Sequence, residues 1–286
     1  MIAVFRREWK SYFSGVMGFF LVGFMSMVCG IYFWANNLIN TSADFSYTIY
    51  CTTFAFLIYV PILTMRSFAE ERRTKTDQLL LTSPVSLTSI VLGKFLAHLA
   101  IFGLSVVLMG LMPVVMGFYG SIDWLRILGS LLSYLFLGGS CIAMGLWVSS
   151  QTESQIISCL ASFGLMLLAY LIASIRLLLV SGNLMAYLVF LGAALIIALC
   201  AGVRGGAPLG MGVFLLCVIL LTGVYLFSGS WLAQGFSGVM EAMDLFTPFA
   251  GFVYGVFDLS SLVYYLTVAG FFLFLTGQSL EKRRWS

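Results

Sequence analysis

Few residues in this chain are of types that do chemistry, and one long polar stretch carries a cluster of them. Between Arg66 and Lys94 the sequence RSFAEERRTKTDQLLLTSPVSLTSIVLGK carries the bases Arg66, Arg72, Arg73, Lys75 and Lys94 and the acids Glu70, Glu71 and Asp77. It is a long polar interval between two hydrophobic runs, so its charge lies outside lipid. Ser67 followed by Glu70 has capping-box spacing, in which a hydroxyl and a carboxylate satisfy the free N–H groups at a helix start. Ser83-Pro84 ends that helix, because proline pushes the residue before it out of the α region. A short charged helix of this kind is suited to docking in water, not to catalysis.

Catalytic and redox patterns are missing elsewhere. Gly93-Lys94 is followed by Phe95 instead of Ser or Thr and lacks the upstream glycine of a phosphate-binding loop. HExxH and GxSxG are absent. His98 is the single histidine, one helical turn past Lys94, and reads as a residue of the inner interface rather than a proton relay. The cysteines Cys29, Cys51, Cys141, Cys159, Cys200 and Cys217 fall inside apolar runs with no CxxC spacing. They read as small buried hydrophobes, with no metal site or disulfide framework.

The elements that position the charged stretch follow from composition. Of 286 residues, 61% are hydrophobic and 9% charged, against about 45–50% and about 25% in a soluble domain. The chain is therefore a polytopic membrane protein. Its apolar runs are near helix-spanning length and lack strand alternation, which makes it all-α. The expected spans are 16–35, 47–65, 95–118, 126–148, 156–179, 184–201, 209–228 and 261–277, about eight in all. The pair 184–201 and 209–228 reads either as two spans or as a tight hairpin around Gly202 to Pro208.

Residues 1–15 are too polar to span. Ile2, Phe5, Trp9, Tyr12 and Phe13 share one helical face, with Arg6, Arg7 and Lys10 off it. That is an amphipathic helix anchored among headgroups by Arg6, Arg7, Trp9 and Lys10. Residues 229–260 read as an outer amphipathic segment, with Leu232, Phe236, Val239, Met243 and Phe246 in one stripe, Thr247-Pro248 closing it, and Asp258 capping the final span.

Basic residues favour the cytoplasmic side. With eight spans and a cytoplasmic N-terminus, the inner side holds Arg6, Arg7, Lys10, Arg66, Arg72, Arg73, Lys75, Lys94, Arg204, Lys282, Arg283 and Arg284, twelve of the fourteen. Arg126 and Arg176 lie toward the outside. Little ionisable charge remains at mid-membrane, which counts against an ion-driven carrier.

Several pieces, in order, resemble the permease subunits of ABC-2 type ABC transporters, most closely the gliding-motility-associated branch. They are Phe5-Arg-Arg-Glu-Trp-Lys-Ser-Tyr-Phe, Arg66-Ser-Phe-Ala-Glu-Glu-Arg-Arg, Thr76-Asp-Gln-Leu-Leu-Leu-Thr-Ser-Pro-Val-Ser, Ile90-Val-Leu-Gly-Lys-Phe-Leu-Ala, Ser149-Ser-Gln-Thr-Glu-Ser-Gln, Gly255-Val-Phe-Asp-Leu-Ser-Ser-Leu-Val-Tyr-Tyr and Glu281-Lys-Arg-Arg-Trp. The resemblance implies a single permease domain over 1–286, with an elbow helix over 1–15, a coupling segment over 66–94 and a six-span core to which 184–228 adds a hairpin. It also implies ATPase coupling through Ser67, Glu70, Glu71, Arg72, Arg73, Thr76 and Asp77, and through Thr152 and Glu153 of a second cytoplasmic turn. The partners it implies are a cytoplasmic ABC ATPase subunit, a second permease copy or paralogue, the bilayer and an outer-side auxiliary protein, with no nucleic acid. ATP and magnesium would sit on the ATPase, with no cofactor in this chain. The expected setting is a bacterial inner membrane, with the chain serving export. The alternatives are an ion-driven secondary transporter and a membrane scaffold without transport. A reporter fused after Ser286 should be active only as a cytoplasmic fusion, and one fused within Asn36–Asp44 should report the outside; an outside result at Ser286 would break the eight-span model.

Overall fold

The computed structural model describes residues 1–76, 86–179 and 207–285, together with 187, 190–192, 194, 195 and 198. These residues form helices, and no strand occurs among them. The chain opens with α1 (Ile2–Ser14), breaks at Gly15 in extended backbone (φ −106°, ψ 177°), and turns into α2 (Met17–Phe33). Gly18 lets this elbow close, since a Cβ there would lie 2.9 Å from the Tyr12 carbonyl oxygen. A π turn over Trp34–Ile39 extends α2. It buries Asn37, whose Oδ1 accepts from Thr48 Oγ1 at 2.7 Å and whose Nδ2 donates to the Ser42 carbonyl at 2.7 Å.

The second span joins α3 (Phe45–Thr52), a 3-10 turn (Thr53–Ala55) and α4 (Phe56–Thr64). The short α5 (Ala69–Arg73) follows, then α6 (Leu87–Gly110), α7 (Met112–Gly117), α8 (Trp124–Gln151), α9 (Gln155–Leu179), α10 (Ala207–Met243), α11 (Thr247–Val253) and α12 (Leu259–Trp285). Two compact units divide the chain, Met1–Leu168 with Leu245–Ser286, and Ala169–Asp244. In the first, α8 packs along α12 and against α4, α6 and α11, while α1 lies on α6. Its core is aromatic: the Tyr134 ring meets Phe56 at 4.8 Å, Phe102 at 5.6 Å and Phe249 at 5.9 Å. The buried Tyr134 hydroxyl accepts from Thr52 Oγ1 at 3.1 Å, so this core carries no unmet polar tip there. In the second unit, the Tyr187 and Tyr225 rings meet at 5.2 Å.

Six stretches among the described residues are long and apolar enough to cross a membrane: Met17–Ile39, Phe45–Arg73, Leu87–Gly117, Trp124–Gln151, Gln155–Ile175 and Leu259–Arg283. They correspond to the first five and the last of the expected spans. The expected span 209–228 falls inside α10, and 184–201 lies largely outside the described residues. The third helix begins at Leu87, eight residues before the expected start at 95. That difference puts Lys94 about two turns and His98 about three turns inside a helix instead of at its edge.

The outer segment is also divided differently. Residues 229–243 continue α10, so no separate helix begins there. Thr247-Pro248 opens α11 instead of closing a helix, with proline in the first turn, where its missing N–H removes no bond. At 37 residues, α10 is roughly 55 Å long, against a hydrocarbon core of about 30 Å. Asp258 does start the last helix: its Oδ1 accepts from Ser260 N at 3.0 Å and its Oδ2 from Ser261 Oγ at 2.7 Å. These bonds, the Ser261 hydroxyl first, hold its carboxyl below the usual range.

Close helix approach rests on two glycines of α8. A Cβ at Gly145 would lie 2.5 Å from Thr64 Oγ1, and one at Gly138 would overlap the Phe102 ring. Gly138→Val should therefore destabilise the detergent-solubilised protein by about 1–3 kcal/mol through overpacking. Gly164→Ala, where a Cβ meets nothing within 4 Å, should leave thermal unfolding unchanged or slightly raised.

Candidate functional site

Charge gathers where α1, α5 and the first turns of α6 meet. On α1, Val4, Glu8 and Tyr12 recur every fourth residue and form the buried face. Gly93 of α6 allows that face to approach, because a Cβ there would lie 3.0 Å from both the Met1 carbonyl oxygen and Val4 Cβ. The next residue, Lys94, is fully buried. Its Nζ lies 2.9 Å from Glu8 Oε1, 3.0 Å from Glu71 Oε2 and 2.6 Å from the Ser67 carbonyl oxygen, which accepts a hydrogen bond from it. The Phe68 ring centroid is 4.9 Å away.

Arg7 closes the cluster from its exposed side. Its Nη2 donates to Glu8 Oε1 at 2.9 Å and also pairs with Glu71 Oε1. Two cations and two carboxylates thus alternate in a ring, Lys94–Glu8–Arg7–Glu71, and their formal charges cancel. Burial alone would raise the Glu8 carboxyl, but Lys94 and Arg7 outweigh it and hold that carboxyl below its ordinary value. The Arg7 guanidinium is likewise pushed up, with Glu8 and Glu71 overcoming its partial burial.

One turn along α6, His98 is fully buried, not interfacial. Its Nδ1 lies 2.6 Å from the Lys94 carbonyl oxygen, which can only accept, so Nδ1 is the donor. Its Nε2 stands 3.1 Å from the Tyr12 hydroxyl, which donates to the Leu63 carbonyl at 2.6 Å. Burial pushes the Tyr12 phenol well above its usual pKa, so it stays protonated. His98 therefore ties α6 to α1 and to the end of α4.

The capping box expected of Ser67 and Glu70 does not form. Phe68 (φ −112°, ψ −35°) precedes α5, and no side chain within that segment caps it. The amides of Phe68 and Ala69 instead donate to Ser149 Oγ of α8, at 3.2 and 3.3 Å. The Ser67 hydroxyl is buried without a hydrogen-bond partner among the described residues. Glu70 turns back to Arg66, accepting from Nε at 2.9 Å and Nη2 at 3.1 Å. At the other end of α5, Thr74 Oγ1 donates to the Glu70 carbonyl at 2.9 Å and Thr76 Oγ1 to the Glu71 carbonyl at 3.3 Å. Arg72 is half-buried, whereas Arg73, Lys75 and Thr76 are exposed, and Lys75 adopts the left-handed region at φ 57°. Asp77 and Ser83-Pro84 lie outside the described residues.

The other expected site residues are less tightly connected to the ring. Thr152 ends α8 in extended backbone, and Glu153 pairs with Arg283 of α12. Arg6 and Lys10 are exposed. Trp9 lies between Phe5 at 6.1 Å and Phe13 at 4.6 Å, and Phe13 meets Phe19 at 5.3 Å. This ladder leaves the Val4–Glu8–Tyr12 face to α6, so the buried and aromatic sides of α1 differ.

Sequence reasoning missed Glu8 and Ser149. Glu8 did carry a signal, as an acid four residues from both Val4 and Tyr12 in an amphipathic helix. Ser149 carried none, because its role depends on a turn eighty residues away. At the opposite end of the bundle, Arg126 is neutralised by Asp44 at 2.6 Å and donates to the Val253 carbonyl at 2.6 Å. That pairing compensates the charge of Arg126. Among the described residues no group of His, Cys, Asp and Glu is placed to hold a metal.

Residues 10–275 match the family model described as ABC-2 family transporter protein. No curated protein matches the chain.

Removing Lys94 would leave the buried Glu8 and the half-buried Glu71 with Arg7 as their one remaining shared cation. Lys94→Met should cost about 3–5 kcal/mol, and adding Glu8→Gln should restore part of it in a double-mutant cycle. Because the folded Glu8 carboxyl is lowered, its contribution is complete above the ordinary value of 4.5 and is lost as the pH falls below it through the folded value. Thermal unfolding followed from neutral to acid pH should show this loss in the wild type and a smaller one in Glu8→Gln.

Proposed function

The chain belongs to the ABC-2 transporter family, and on that premise we propose that this multi-pass membrane protein is the permease subunit of an ATP-driven exporter. It would lie in a bacterial inner membrane with both termini cytoplasmic. A separate ATPase subunit would bind ATP and magnesium, and a second permease copy or paralogue would complete the transporter. The observation that carries this reading is the attachment of α5, whose N-terminus is bonded to α8 through Ser149 and whose Glu71 is bonded to Lys94 of α6 and Arg7 of α1. A push on α5 would reach three other helices through direct polar contacts.

The roles within the segment then separate. Ser67 and Glu71 hold α5 in place, and Glu70 stiffens it through Arg66. Arg73, Lys75 and Thr76 are exposed and form the docking surface, and Asp77, outside the described residues, is assigned to it by the sequence alone. Arg72 flanks that surface, and Thr152 and Glu153 add a second contact. Glu71 is a poor probe of docking, since reversing its charge would set a third cation against Lys94 and Arg7.

The test uses the full chain solubilised from its native membranes. A vanadate-sensitive ATP-hydrolysing subunit should come with it, and Arg73→Glu with Lys75→Glu should lower the retained hydrolysis about ten-fold, or about 1.4 kcal/mol of docking, while the permease remains in the membrane. Wild-type protein that carries no hydrolysing subunit would overturn the ATP-driven reading in favour of an ion-driven carrier or a scaffold, and a double variant that keeps all of the hydrolysis would overturn the assignment of the docking surface to Arg73 and Lys75.

A further inference from the structure

Under the elbow between α1 and α2 lies a cavity of about 410 Å³, lined by Glu8, Ser11 and Tyr12 of α1, the turn Gly15–Met17, and Arg66, Ser67 and Glu70. Its volume falls in the range of small-ligand sites. An apolar surface begins at its rim, with Val16 82%, Phe19 64% and Phe20 53% exposed, which in a membrane protein is lipid-facing. The cavity therefore opens at the level of phospholipid headgroups.

Its polar groups have capacity left over. Glu8 uses Oε1 for both Arg7 and Lys94, and no hydrogen bond is made to its Oε2 among the described residues. The Ser67 hydroxyl is buried and without a partner among those residues. Arg66 and Glu70 are bonded through their side chains to each other, half-exposed at the mouth. Two carboxylates and one guanidinium thus line the space, beside the hydroxyls of Ser11 and Ser67 and that of Tyr12, which is committed to the Leu63 carbonyl. A purely anionic headgroup would meet two like charges, and a purely cationic one would leave Arg66 and Ser67 unused.

We propose that this crevice binds the phosphoethanolamine headgroup of a membrane phospholipid. The primary ammonium donates to Glu8 Oε2 and Glu70, and the phosphate accepts from Arg66, Ser67 and Ser11. A quaternary ammonium has no N–H to donate to those carboxylates, so phosphatidylcholine is the informative comparison. The occupied site would brace the elbow from the side opposite Lys94. This assignment does not depend on the ATPase reading, because its readout is lipid binding alone.

The test is native mass spectrometry of the delipidated full chain titrated separately with phosphatidylethanolamine, phosphatidylcholine, phosphatidylglycerol and water-soluble glycerophosphoethanolamine. One phosphatidylethanolamine per chain should be retained at a concentration about ten-fold below that needed for the other two lipids, about 1.4 kcal/mol by the affinity relation. Ser11→Leu, which fills the mouth without touching the ion pairs, should abolish that preference, and Arg66→Gln should reduce it; each variant's thermal unfolding is measured alongside. Equal retention of all three lipids, or an unchanged preference in a folded Ser11→Leu, would overturn the proposal. Glycerophosphoethanolamine binding as tightly as the lipid would overturn the membrane source and make the occupant a soluble amine phosphate.

Discussion

A lysine with no exposed surface, two turns inside an apolar helix, dictates the arrangement of the basic end of this protein. Moving an ammonium out of water costs several kcal/mol unless opposite charge and hydrogen bonds replace the water. Lys94 obtains those partners from separate parts of the chain: Glu8 from α1, the Ser67 carbonyl and Phe68 ring from the turn after α4, and Glu71 from α5. None of them can move far without uncovering the charge. The ring adds little net stability over an apolar contact of the same volume, but it fixes which surfaces meet. Gly93 is part of the same constraint, since any side chain there would hold α1 away from the lysine that needs it.

The two ends of the bundle solve a similar problem at different depth. At the basic end, Ser149 and the Arg283–Glu153 pair add α8 and α12 to the elements held by Lys94. At the other end, Arg126 of α8 holds Asp44, just before α3, and the Val253 carbonyl at the end of α11. Both use a cation to join elements distant in sequence. Arg126 is partly exposed and costs less to bury than Lys94, so its contact is better placed to exchange with water.

Composition and run length were enough to read the helical class and six of the eight expected spans, because each span must satisfy its own backbone in lipid and so carries its signal locally. The charged segment around Glu70 and Glu71 stood out by its polarity between two of those spans, but its helix ends at Arg73 and does not run on toward Ser83. The helix start at Leu87 was not, because Lys94 and His98 look like boundary residues until Glu8, Glu71 and Tyr12 are seen to cover them. The cap of α5 was misread since Ser67-x-x-Glu70 has the right spacing, while the bonds went to Ser149 and Arg66 instead. The stripe from Leu232 to Phe246 was periodic, but periodicity does not show where a helix begins, and the helix had already begun at Ala207. Local signals sufficed wherever partners lie within one element, and failed wherever a side chain is satisfied by a distant one.

The order of the Lys94 contacts along the chain bears on how the protein is made. Synthesis proceeds from the N-terminus, so Glu8, Ser67 and Glu71 have all emerged before Lys94 exists. The two earlier apolar runs can settle with their carboxylates at the membrane surface, where an acid remains hydrated. When α6 then enters, its ammonium meets a receptor already assembled and has no need to cross lipid unpaired. Reversing that sequence, as a circular permutant beginning near Leu87 would do, presents the charge to the bilayer first. The native fold would be the same, yet its biogenesis would pass through a buried cation with nothing to receive it.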